Sequence, residues 1–117
     1  MIAWTTLPFH YPRRTPWWKR PFDERCVHGL DIFLVNGTHV RNAFDSDFDQ
    51  GGNGYAYAWI PKSEIWIAEE VPKVELPYVA FHECTEVELM RHGLDYDHAH
   101  DIAKMEEDRL RRELLHI

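Results

Sequence analysis

Cysteine is scarce in this chain. Its 117 residues hold only Cys26 and Cys84, with no CxxC pair and no zinc-ribbon spacing. Two isolated thiols speak against a disulfide-rich secreted scaffold and point to a reduced, cytoplasmic setting. Long apolar runs are missing as well: none approaches the ~20 residues that span a bilayer as a helix. The opening MIAWTTLPFHYPRR has neither the basic start nor the apolar stretch of a secretory leader. Positive charge is in deficit, with a net charge of −7. Arg13, Arg14, Lys19, Arg20 and Arg25 all fall within residues 1–25, and the remainder is strongly acidic. Such a body repels phosphate backbones, which argues against nucleic acid as a partner.

What is present suits one globular domain. Apolar residues make up 44% of the chain, enough for a modest core at this length. The stretch LPFHYPRRTPWWKRPF carries four prolines and no consistent period. Proline fixes its own φ and biases the preceding residue to extended backbone, so residues 1–25 read as an extended arm. A single domain over residues 26–117 follows. Trp17 and Trp18 on the arm either cover the domain's own sheet or stack on a partner.

LDIFLVNGTHVRNAF places two β-prone runs around Asn36-Gly37, a pair suited to a type I′ turn, and predicts a hairpin of residues 31–35 and 38–43. FDSDFDQGGNG reads as a solvated loop. Asp45, Asp47 and Asp49 have calcium-loop spacing, but Gln50 and Ala56 stand where glycine and glutamate are needed. GYAYAWIPKSEIWIAEE alternates, with Tyr55, Tyr57 and Trp59 on one face, and predicts a second hairpin closing on Glu64 to Ile67. From Pro77 the pattern is helical and stops at His92-Gly93. Asp95 is the N-cap of a second helix reaching about Leu115. The expected fold is α+β: a small antiparallel sheet of two hairpins packed on a C-terminal antiparallel helical hairpin.

The chemistry concentrates in FHECTEVELMRHGLDYDHAHDIAKMEE, residues 81–107. His82 and Glu86 lie four apart, so both project from one helix face and can reach one metal ion. Glu83 is placed to act as general base toward a water activated by that metal. The stripe Val79, Leu89 and Met90 turns this face inward, where a carboxylate needs a partner. The second helix, with stripe Ala99, Ile102, Ala103, Leu110 and Leu114, runs back beside it. It offers His100 as third ligand, then Glu106, then His98. Glu107, Asp108 and the nearby arginines read as exposed i,i+4 pairs. Cys84 points to another face and reads as a small buried apolar residue.

A strand hairpin (YAYAWI…EIWI) followed by a helix bearing HECTE resembles the core of the zincin-type metallopeptidases, over about residues 54–107. In that family the helix lies beneath a sheet whose edge strand aligns a peptide. The resemblance implies His82 and Glu86 as zinc ligands, Glu83 as base, and a peptide or protein partner along an edge strand. Glu86 stands where the family has a second histidine, which adds hard oxygen character and brings manganese or iron into consideration beside zinc. The wider pattern HE..E..LM..G..Y..AH..A..EE is similar to small proteins of bacteriophage and prophage origin. Two function classes follow: a metal-dependent hydrolase of peptidase type, or a non-catalytic interaction module of the same fold, with or without metal.

Overall fold

The computed structural model describes residues 15–25 and 29–115, except for the side chains of residues 23–25. Residues 1–14 of the expected arm, and Cys26, lie outside the described residues. Four strands form one mixed sheet: β1 (Lys19–Arg25), β2 (Asp31–Val35), β3 (Gly51–Asn53) and β4 (Glu64–Ala68). Among the described residues three helices join the sheet in an α+β fold: α1 (Gly37–Ala43), α2 (Leu76–Arg91) and α3 (Tyr96–Leu115). The sheet order is β1-β2-β4-β3.

The sheet departs from two antiparallel hairpins in three ways. The expected hairpin at Asn36-Gly37 is a strand followed by a helix. Asn36 Oδ1 accepts from the backbone N–H of His39 at 2.9 Å, and Glu70 Oε1 accepts from that of Gly37 at 3.0 Å. Asparagine caps helices as readily as it turns hairpins, and here the cap prevails. Next, β2 pairs with β4 in parallel, Ile32 opposite Ile65 and Leu34 opposite Ile67. Last, YAYAWI is a series of turns rather than a strand. Asn53 Oδ1 accepts from the backbone N–H of both Tyr55 and Ala56, which turns the chain immediately after β3. The strand antiparallel to β4 is therefore the short Gly51–Asn53 segment. From the stretch expected to be an arm, residues 19–25 form β1, antiparallel to β2.

Register decides which side of the sheet each residue serves. Gly51 lies opposite Ile67 and Asn53 opposite Ile65, so these four share a face, while Gly52 and Trp66 occupy the other. The first face lies against α2: a Cβ on Gly51 would come within 3.2 Å of Val79 and 3.5 Å of Glu83 Cγ. The opposite face is aromatic. Lys19 Nζ sits 4.4 Å from the Phe33 ring centroid and 5.1 Å from that of Trp66. Trp18 and Trp59 close around Trp66 at centroid distances of 5.3 and 5.8 Å.

The helical hairpin follows the sequence closely. Pro77 falls in the first turn of α2, and Gly93, at φ +102°, takes the left-handed conformation that ends it. Asp95 Oδ1 accepts from the N–H of His98 at 2.9 Å and starts α3. Ala99 and Ala103 are fully buried and let α3 approach α2 closely, whereas Ile102 and Leu114 of the expected stripe are exposed. On α2 the buried apolar residues are Val79, Ala80 and Val87. Leu89 and Met90, read from sequence as part of that inward face, are only half-buried. Cys84 is half-buried and disulfide-bonded, which corrects its reading as a reduced thiol.

Candidate metal centre

The inward face of α2 carries His82, Glu83 and Glu86, all buried, beside the apolar Val79 and Val87. Across the hairpin, α3 brings up His100. His82 Nε2 lies 2.7 Å from Glu86 Oε2, His100 Nδ1 lies 2.6 Å from the same oxygen, and the two nitrogens are 3.3 Å apart. These are donor atoms of the kind that hold a divalent ion, drawn from three residues in one small triangle.

The fit can be judged from spacing. Around tetrahedral zinc with bonds of about 2.0–2.1 Å, neighbouring donors lie about 3.3 Å apart. The two imidazole nitrogens already have that separation. The Glu86 contacts are shorter because they are hydrogen bonds, with protons held where an ion would lie. The donor set is a His₂Glu set, and the other ring nitrogen and the other carboxylate oxygen are both taken. Nδ1 of His82 is 3.1 Å from Glu107 Oε1, and Asn53 Nδ2 donates to Glu86 Oε1 over 3.3 Å. Outer partners of this sort orient ligands. The residues present therefore fit a divalent cation.

The remaining candidates fall elsewhere. Glu106 points away and pairs with Arg109. His98 pairs with its helix cap, Asp95, at 2.8 Å, and His92 lies in the turn region, near Glu88. Glu107 was read as part of a solvated face. Its side chain is only 12% exposed, and it bridges His82 and Arg111, which in turn holds Glu75 at 2.7 Å. The signal for Glu107 was its position seven residues after His100, two turns along the same face. Asn53 and Tyr96 were also missed. Tyr96 precedes His100 by one turn, stacks on its ring at 5.4 Å, and places its hydroxyl 3.4 Å from Nδ1. Nothing local in GGNG marks Asn53 as part of the site, because the two carboxylates it serves lie thirty and more residues away.

The triangle opens into a cleft of about 420 Å³ whose walls include Asp47, Asp49, Gly51, Tyr57, Glu83 and Lys104. Charge in it is strongly negative, with Glu83, Glu86, Glu107, Asp47 and Asp49 against Lys104. Burial, and then the neighbouring Glu86 carboxylate, push the Glu83 carboxyl up to about 7. Burial also works to raise Glu86, but hydrogen bonds from His82 and His100 outweigh it and hold that carboxyl below its ordinary value. For His82 burial disfavours the cation, yet Glu86, Glu83 and Glu107 together raise its pKa above 6.5. Burial raises the Tyr96 phenol to about 12, so it stays protonated and able to donate.

Compared with family models, curated proteins and solved structures, the chain matches none. Among the described residues, no helix is long and apolar enough to cross a membrane.

Proposed function

We propose that the chain is a metal-dependent hydrolase of peptidase type with a zincin-like arrangement. One observation carries the reading: a buried glutamate, Glu83, with its carboxyl at about 7, lies in a cleft beside a His82–Glu86–His100 donor triangle. A base poised near neutral pH both takes and returns a proton efficiently. A divalent cation, zinc in the first instance with manganese or iron as alternatives, supplies Lewis acidity to a carbonyl and to a nearby water.

The chain's own residues do the rest. Asn53 occupies Glu83 Oε1 at 2.9 Å, and no other described residue hydrogen-bonds to that carboxylate. Glu83 Oε2 is thus the oxygen that accepts a proton from water and passes it to the leaving amine. Glu107 holds Nδ1 of His82 and directs Nε2 toward the cleft. Among the described residues no strand pairs with the outer edge of β3, which borders the same cleft at Gly51, and an extended peptide adds there as a further strand. That order, edge strand above a helix bearing HECTE, supports the zincin-like reading.

A second reading has its own support. His82, Glu86 and His100 satisfy one another through hydrogen bonds at 2.6–3.3 Å, which suffices for a metal-free interaction module. Elemental analysis of protein purified without a histidine tag separates the two. The hydrolase reading expects a stoichiometric transition metal, lost in His82→Ala. It also expects cleavage of a peptide library, abolished in Glu83→Gln while the metal stays. Metal-free protein that folds normally in chelator and takes up no added zinc removes it.

A further inference from the structure

Asn53 is a polar side chain with 0% exposure, in a strand of only three residues. Such a group is costly unless every polar atom is paired. Here each is. An asparagine has two N–H donors and one carbonyl oxygen. The oxygen accepts from the backbone N–H of Tyr55 at 2.9 Å and of Ala56 at 3.0 Å. Those donors fix the amide's orientation, because only the oxygen can face them. The NH₂ group must then point the other way, where it donates to Glu83 Oε1 at 2.9 Å and to Glu86 Oε1 at 3.3 Å.

The surrounding glycines make this seat. A Cβ at Gly51 would press on the Trp66 carbonyl at 3.1 Å, and one at Gly54 would lie 2.5 Å from the Pro61 carbonyl. The chain on both sides of Asn53 is thus drawn tight against β4 and the loop before it. The strand register sets the side chain on the α2 face of the sheet.

We infer that Asn53 is a positioning residue that decides which oxygen each glutamate presents to the cleft. By tying Oε1 of both carboxylates to one amide, it leaves Glu86 Oε2 toward the two histidines and Glu83 Oε2 toward the substrate. It also joins the two carboxylates to the edge strand and to the turn that carries Tyr57. The inference rests on the metal-dependent reading above.

Cobalt binding tests it without any assay of turnover. Asn53→Asp and Asn53→Ser, each checked for folding by circular dichroism, are titrated with Co²⁺ beside wild type. Loss of an outer hydrogen bond to a ligand lowers metal affinity by about tenfold to a hundredfold, and that range is expected here. The visible spectrum should change too, since Glu86 is no longer held through one oxygen. A role confined to stability would lower the melting temperature and leave affinity and spectrum alone, and that result overturns the inference. Wild type that binds no Co²⁺ overturns the metal reading and this inference with it. Should neither variant fold, the assigned side-chain amide signals of Asn53 in wild type decide. They shift on addition of Zn²⁺ if Asn53 positions a ligand, and their staying fixed while Zn²⁺ binds overturns the proposal.

Discussion

Nδ1 of His82 and Oε1 of Glu107 lie 3.1 Å apart across the helical hairpin. A carboxylate can only accept, so Nδ1 carries a proton, and it is the Nε2 proton, facing Glu86 and His100, that a metal ion would displace. Glu107 is held in turn by Arg111, whose guanidinium spans Glu107 and Glu75 and sits 4.1 Å from the Tyr78 ring. The tautomer of a buried histidine on α2 is thereby set from α3. Removing such a partner typically weakens metal affinity by about tenfold to a hundredfold. Glu107→Ala is expected to fall in that range in a competition titration with a zinc chelator, with helix content unchanged. Wild-type affinity in that variant would show that Glu107 does no more than cover the ring.

Stability of the metal-free protein should depend on pH with a definite sign. Glu83 is raised from 4.5 to about 7, first by burial and then by Glu86. A group raised on folding contributes stability that is present below its unfolded pKa and lost as pH climbs to the folded value. For Glu83 that loss runs from 4.5 to about 7. His82, raised above 6.5 against the opposing effect of burial, adds a loss above 6.5. Glu86 is held low by the two histidines and acts oppositely, but only below 4.5. The melting temperature of metal-stripped protein should therefore fall as pH rises from 4.5 to about 7, and His82 carries the fall on above 6.5. Zinc should reverse the fall and release protons, measured by calorimetry in buffers of different ionisation enthalpy. A melting temperature that rises through this range would contradict the assignment.

The helical half of the molecule was legible because its signals are local. Pro77, Gly93 and Asp95 act within one turn of their own positions, and the i,i+4 pair His82/Glu86 needs only helical geometry. The sheet was less legible because strand partners are chosen over distance. β2 pairs with β4 across more than thirty residues, and nothing inside DIFLV distinguishes a parallel partner from an antiparallel one. The YAYAWI alternation matched a strand, yet the buried side chain of Asn53 turns the chain at Tyr55 and Ala56. Asn53 and Glu107 escaped for the same reason: each is recognisable only from what it faces.

Asn36 gives a direct test of the strand-to-helix assignment. Its side chain caps the N–H of His39, and Gly37 does not adopt the positive φ that a type I′ turn would need. Replacing an N-cap asparagine by alanine costs about 1 kcal/mol. Asn36→Ala should lose that much in urea denaturation, while Asn36→Asp, which keeps an acceptor, should lose far less. Equal losses in both would favour a turn over a cap.

Helix register across the hairpin is the feature on which the proposed metal site depends. His100 and Glu106 were both candidates for the third ligand, and on a helix they point in different directions, six residues apart. His100 Nδ1 sits 2.6 Å from Glu86, whereas Glu106 pairs with Arg109 on the outside. His100→Ala removes one of three donors and leaves the Glu86 carboxylate with one partner fewer in a buried place, so metal should be lost. Glu106→Gln removes an exposed ion pair of the kind worth at most about 1 kcal/mol, so metal content and folding should match wild type. Elemental analysis of the two variants beside wild type checks the register directly. Loss of metal in Glu106→Gln with retention in His100→Ala would mean that α3 is rotated about its axis, with Glu106 rather than His100 facing Glu86.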